Sequence, residues 1–230
     1  AFRALMMADT SQDQEVGGFK ASYIQEIPAN DITPGSLCLA IDAALTAGGD
    51  ATGWAICGTG AFDQAGKLLI LEAGEWRKDP HDLIPLIASK VEQWKASAVV
   101  VERAGGGLPL LQEMQRHWDG FHVAINGVST RNQSKRMRLE GLLGAMAMGR
   151  VIAPQGAEWL PRSREQLRLI ALERNGADDI GDAIVHGLHQ AARWSAGGFT
   201  TGLATWGRTS NQRETTAAAT WGYGTRAIRN

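Results

Sequence analysis

Three acidic positions in this chain close runs of residues that ought to be buried. Asp42 ends the apolar stretch of LCLAIDAAL, Glu102 ends AVVVE ahead of three glycines, and Asp178, Asp179 and Asp182 cluster in DDIGDAIVHGL. A carboxylate taken out of water without a partner is expensive, so each run implies a compensating charge. Oxygen-only donors drawn from distant segments suit a hard divalent cation such as Mg2+ or Mn2+ rather than zinc. Two such ions about 3.5–4 Å apart activate a water and stabilise the leaving 3′ oxygen in phosphodiester hydrolysis. That is the chemistry these acids suggest. Taken singly they have plainer uses, Asp42 as a turn residue and Asp178 or Asp179 as a helix cap. Glu102 is harder to place that way, because a strand of Val99, Val100 and Val101 has no packing need for a carboxylate.

The elements that must carry these acids follow from periodicity. Residues 36–43, 52–59 and 67–73 are strand-length apolar runs separated by glycine-bearing turns, which predicts a three-strand antiparallel meander. Helical spacing then takes over at 81–96, with Asp79 and Pro80 as a start signal. Residues 98–102 read as a buried strand, 108–118 as a helix and 121–125 as another strand, an alternation that calls for parallel pairing through crossover helices. Further helices are expected over 134–148, 162–174 and 178–194. The expected architecture is α/β: a mixed five-stranded sheet, the meander plus two parallel strands, with helices on both faces. Strands one and four are its natural central neighbours, about 4.8 Å apart, and ligands gather beyond the carboxyl ends of such strands. Asp42 and Glu102 would therefore reach one site. Asp179 and Asp182, three apart, share a helix face near an N-terminus whose dipole favours anions. Gly105, Gly106 and Gly107 would let the backbone approach a bulky ligand or cap the next helix.

Composition limits the partners. The formal net charge of −1 over 230 residues recruits neither nucleic acid nor membrane in bulk, so any such partner needs a local patch. One exists: residues 131–174 hold nine Lys/Arg against four Glu, enough to neutralise backbone phosphates without reading bases. Cys38 and Cys57 lie in strand-like runs and are read as core residues. No apolar run nears the ~18 residues of a membrane span. Residues 1–35 read as a linker or docking arm and 195–230, rich in Gly, Thr and Ala, as a loosely packed tail; the domain proper is 36–194. The opening on Ala1 and a helix-like AFRALMMA is read as the start of a piece cut from something longer. Of eight tryptophans, Trp206 and Trp221 in the tail are the ones worth testing for base stacking. His186 and His189 are read as packed or solvated, not as ligands.

At these residues a resemblance becomes specific. The chain resembles the C-terminal nuclease domain of large terminase subunits of tailed phages, which has a ribonuclease H-like fold. SQDQEVGGFK with Tyr23 and Ile24 is similar to the segment entering that domain. IDAALTAGGDATGWAI is similar to the first metal acid followed by a second Asp, and VVVERAGGGLPLL to the second acid with its glycines. SKRMRLEGLLGAMAMGRVIAP resembles the Lys-x-x-Arg helix leading to a strand-like Gly-Arg-Val, and DDIGDA the final acid motif. The order of these motifs, spanning 1 to about 194, tells more than any one of them.

The resemblance implies that Asp42, Glu102 and an acid of the last cluster hold two Mg2+ or Mn2+ ions, with Asp179 and Asp182 favoured over Asp178. It implies an outer-shell part for Asp50, and a place near DNA for Lys135 and Arg138. It further implies a metal-dependent endonuclease cutting double-stranded DNA with little sequence preference during genome packaging in the host cytoplasm. A full-length protein would carry an N-terminal ATPase and meet the portal protein and the small terminase subunit. No Gly-x-x-x-x-Gly-Lys-[Ser/Thr] loop exists in this piece, and as an isolated domain it is expected to be a monomer without a membrane partner. Two rival readings are a Holliday-junction resolvase-like nuclease and a non-cutting DNA-gripping module of the packaging motor.

Overall fold

In a computed structural model, residues 17–44, 51–117, 123–130 and 132–196 are described. Their strands are β1 (Ile24–Ile27), β2 (Pro34–Asp42), β3 (Thr52–Gly60), β4 (Leu68–Trp76), β5 (Ala98–Glu102), β6 (Ala124–Val128) and β7 (Val151–Pro154). Their helices are α1 (Pro80–Trp94), α2 (Gly107–His117), α3 (Lys135–Ala147), α4 (Leu160–Ala171) and α5 (Asp179–Ala196). Among the described residues no helix is long and apolar enough to cross a membrane.

The strands form one seven-stranded sheet in the order β1-β7-β4-β3-β2-β5-β6. The expected meander is its centre: β2 pairs with β3, and β3 with β4, both antiparallel. The two expected parallel strands follow, β5 beside β2 and β6 beside β5. Five strands was two too few. Parallel pairs β7–β4 and β1–β7 extend the sheet on its other side. The expected arm is corrected with them, because residues 24–27 supply β1, and Ile24 and Phe19 are buried at 1 % and 2 % exposure. Strands of four residues carry too short an alternation to stand out by periodicity. Residues 1–16, Asp50 and 197–230, which include Trp206 and Trp221, lie outside the described residues.

Helices cover both faces, and strand alternation sorts the core accordingly. Cys38, Ala40, Ala55, Cys57 and Val100 point to the face packed by α3, α4 and α5. Leu39, Ile41, Trp54, Ile56, Val99 and Val101 point to the face packed by α1 and α2. The two cysteines stand opposite each other in β2 and β3 as buried free thiols, as a core role requires. Burial pushes Cys38 up to about 12 and Cys57 well above its ordinary value, so both stay protonated and behave as small apolar groups.

Candidate active site

The same alternation that sends Cys38 and Ala40 toward α5 sends Asp42 there, and the one that sends Ala98 and Val100 there sends Glu102. The β2–β5 pair is in register through Ile41 and Val101. One residue further on, Asp42 and Glu102 therefore stand side by side at the carboxyl ends of adjacent parallel strands. Gly53 faces Asp42 across the β2–β3 ladder and lets the start of α5 close on this spot. A Cβ there would lie 2.0 Å from the carbonyl oxygen of Asp179. Gly106 does the same for the loop after β5, where a Cβ would meet the Ala44 carbonyl oxygen at 2.0 Å. The glycines after Glu102 thus serve close backbone packing beside the site.

Helix α5 brings Asp182, 1 % exposed, into this corner, and α3 brings two cations. Lys135 Nζ lies 2.6 Å from Asp182 Oδ2 and donates to Asp178 Oδ2 at 2.7 Å. Arg138 Nη2 lies 3.3 Å from Asp182 Oδ1, while Nη1 donates to Glu102 Oε2 at 3.2 Å. Arg138 is corrected by this geometry. Expected against DNA, it is 5 % exposed, because two carboxylates buried on neighbouring elements need an interior counter-charge. Lys135 keeps 46 % of its side chain exposed at the rim.

His186 was passed over as a packed residue, yet it belongs to the cluster. Its Nε2 lies 2.8 Å from Glu102 Oε2 and 2.7 Å from Arg138 Nη1. A single ring nitrogen donates to Glu102 in one tautomer and accepts from Arg138 in the other. The available signal was spacing: His186 sits four residues after Asp182, on the same helix face. Thr130, whose hydroxyl donates to Glu102 Oε1, carries no sequence signal at all. His189 Nε2 donates to the Arg138 carbonyl at 2.8 Å, and burial lowers its pKa to about 4, so it props α3 as a neutral ring.

The electrostatics divide the acids. Burial pushes Asp42 up to about 8, helped by the negative charges of Asp182, Glu102 and Asp179 and opposed by Lys135. Burial also raises Glu102, but hydrogen bonds from His186 and Thr130 and the charges of His186 and Arg138 outweigh it and hold Glu102 at about 2. Asp182 is raised by burial despite Lys135 and Arg138. Both of its oxygens are shielded from solvent and make ionic contacts, but neither makes a well-aligned hydrogen bond. Among the described residues no three of these acids bring ligand oxygens within 4.8 Å of one another; the set that does so is His81, Glu113 and His117, on other elements. A buried carboxylate without a well-aligned hydrogen bond, beside a second one raised by burial and by its acidic neighbours, nevertheless fits hard divalent cations. Asp42 and Asp182 would hold them, with Glu102 and Asp179 at the margins. Beside the site a cleft of about 480 Å³ is lined by Ser134, Lys135, Arg136, Arg174 and Asp178, among others.

Comparisons agree with this frame. The nuclease domain of the large terminase subunit gp2 of bacterial virus Sf6 superposes with a TM-score of 0.54 at 11 % identity, over 68 % of this chain and 89 % of that one. The large terminase nuclease from thermophilic phage G20c, with bound magnesium, gives 0.54 at 14 % identity, over 77 % and 97 %. A large terminase from a second thermophilic bacteriophage gives 0.53 at 10 % identity, over 76 % of this chain but 43 % of that one, so the chain spans less than half of that protein. No protein-family model and no curated protein matches the sequence. At these identities the likeness is one of fold: the chain has the ribonuclease H-like fold of large terminase nuclease domains.

Proposed function

We propose that this chain is a metal-dependent endonuclease acting on double-stranded DNA with little sequence preference, and that it serves genome packaging in the host cytoplasm. The observation that carries the reading is the placement of Asp42 and Glu102 at the adjacent carboxyl ends of β2 and β5 beside Asp182 of α5, with Asp42 left short of positive charge by the protein itself. Two Mg2+ or Mn2+ ions held there would supply Lewis acidity to a water and to the leaving 3′ oxygen. The chain's own residues position and neutralise. Arg138 and His186 fix Glu102, Lys135 restrains the last acid cluster, and Asp42 and Asp182 offer the oxygens for metal. Backbone phosphates would run along the cleft at the start of α3, where Arg136 and Arg174 add positive charge without base readout. Fold likeness to nuclease domains, one of them with bound magnesium, supports the class of reaction. An N-terminal ATPase, the portal protein and the small terminase subunit belong to this proposal as the partners of a longer protein.

Nicking of supercoiled plasmid in Mn2+ tests it. The wild-type chain should nick, and Asp42→Asn and Asp182→Asn should fall to background while keeping their fold. An inactive wild type, or an active Asp42→Asn, would refute the reading. Preference for four-way junctions over linear duplex would favour a resolvase instead.

A further inference from the structure

We propose that His81, Glu113 and His117 form a second metal site, for a borderline transition-metal cation such as Zn2+, on the sheet face opposite the acidic cluster. Glu113 and His117 are four apart near the end of α2 and so share a helix face, while His81 projects from the first turn of α1. Both helices pack the face of Leu39, Ile41, Val99 and Val101, whereas the acids lie with α3 and α5. One ligand atom from each residue lies within 4.8 Å of the others.

The donor geometry is that of a small tetrahedral ion. Glu113 Oε2 lies 3.7 Å from His81 Nδ1 and 3.2 Å from His117 Nε2. Bonds of about 2.0–2.1 Å to tetrahedral zinc place neighbouring donors about 3.4 Å apart, between these two values. The second carboxylate oxygen, Oε1, accepts from Arg116 Nη1 at 2.9 Å, which turns Oε2 toward the imidazoles as outer partners of metal ligands do. The rings of His81 and His117 meet edge-on with centroids 5.5 Å apart. Two imidazoles and one carboxylate select Zn2+, Co2+, Ni2+ or Cu2+ over the Mg2+ or Mn2+ suited to oxygen-only donors. Three protein ligands leave a further position for water, and the exposure of His81, 74 % of its side chain, opens that position to solvent. Bound there, the ion would tie the start of α1 to the end of α2.

The test is a titration of the full chain, carrying Asp42→Asn and Asp182→Asn to remove cation binding at the acids, with Co2+ read by its visible absorption and Zn2+ by competition. One equivalent should bind with the spectrum of a nitrogen-containing, low-coordinate site. His81→Ala or His117→Ala, both at exposed side chains, should each weaken binding at least ~10-fold, and Arg116→Ala by about 10-fold. Mg2+ should not compete. No bound Co2+ or Zn2+, or binding unchanged in both histidine variants, would overturn the proposal. Because the acids are already removed, neither outcome depends on the nuclease reading.

Discussion

Two strand ends lie side by side in this sheet and hold their carboxylates in opposite states. At the end of β5, Glu102 is surrounded by Arg138, His186 and Thr130 and is held at about 2, charged across the usual pH range. At the end of β2, Asp42 faces burial and three other acids with Lys135 alone opposing them, and is pushed up to about 8. Neighbouring positions on parallel strands thus differ because one is closed by the protein's own cations and the other is not. The β5 end is a finished structural unit. The β2 end lacks that closure, and under the proposed function a divalent cation would supply the missing positive charge.

The strongest way to break this contrast is Asp42→Asn. Besides abolishing nicking, it should change the pH dependence of stability without metal. A carboxyl whose folded pKa is raised contributes stability that is full below its unfolded value near 4 and is lost as pH rises through about 8. The wild type should therefore lose stability across that window, while the variant, keeping only the slope of Asp182, should end about 2–5 kcal/mol more stable above it. Melting curves in chelator from pH 4 to 9 measure this, and equal slopes would erase the contrast. Saturating Mg2+ should remove most of the wild-type loss.

Glu102→Gln should go the other way. It strips Arg138 of a buried partner and should destabilise by about 3–5 kcal/mol at neutral pH, seen in denaturant midpoints. The wild-type contribution of Glu102 is present above the ordinary carboxylate value and fades as pH falls toward about 2. Gly53→Ala tests how the halves are brought together. Its Cβ must displace the Asp179 carbonyl, for a loss of about 1–3 kcal/mol with nicking reduced more than stability. Lys135→Ala leaves the buried Asp182 to Arg138 and should cost about 1–2 kcal/mol, and it should lower the salt slope of DNA binding by about 1.

How much of this was legible depended on what each residue touches. The meander, β5 and the five helices were readable because their apolar periods are long, and β5 was placed at 98–102 to the residue. Asp42, Glu102, Asp179 and Asp182 stood out because an acid closing or interrupting a buried run departs from the local pattern, and the fold brings their elements to one corner of the sheet. β1 and β7 were missed as strands of an enlarged sheet, since four residues carry little pattern of their own. Arg138 was assigned to DNA because a basic residue on a helix looks solvated until its helix is docked; only the fold shows α3 lying over two carboxylates. His186 shares a helix face with Asp182, but its contact with Glu102, like that of Thr130, is tertiary and appears only once the fold is known.

The most direct test of the central claim is anomalous diffraction from crystals soaked in Mn2+. Manganese peaks are expected at roughly 2.1 Å from carboxylate oxygens of Asp42 and Asp182, with Arg138 still on Glu102. Absence of any peak at those two residues, in crystals of a chain that nicks DNA with Mn2+, would contradict it.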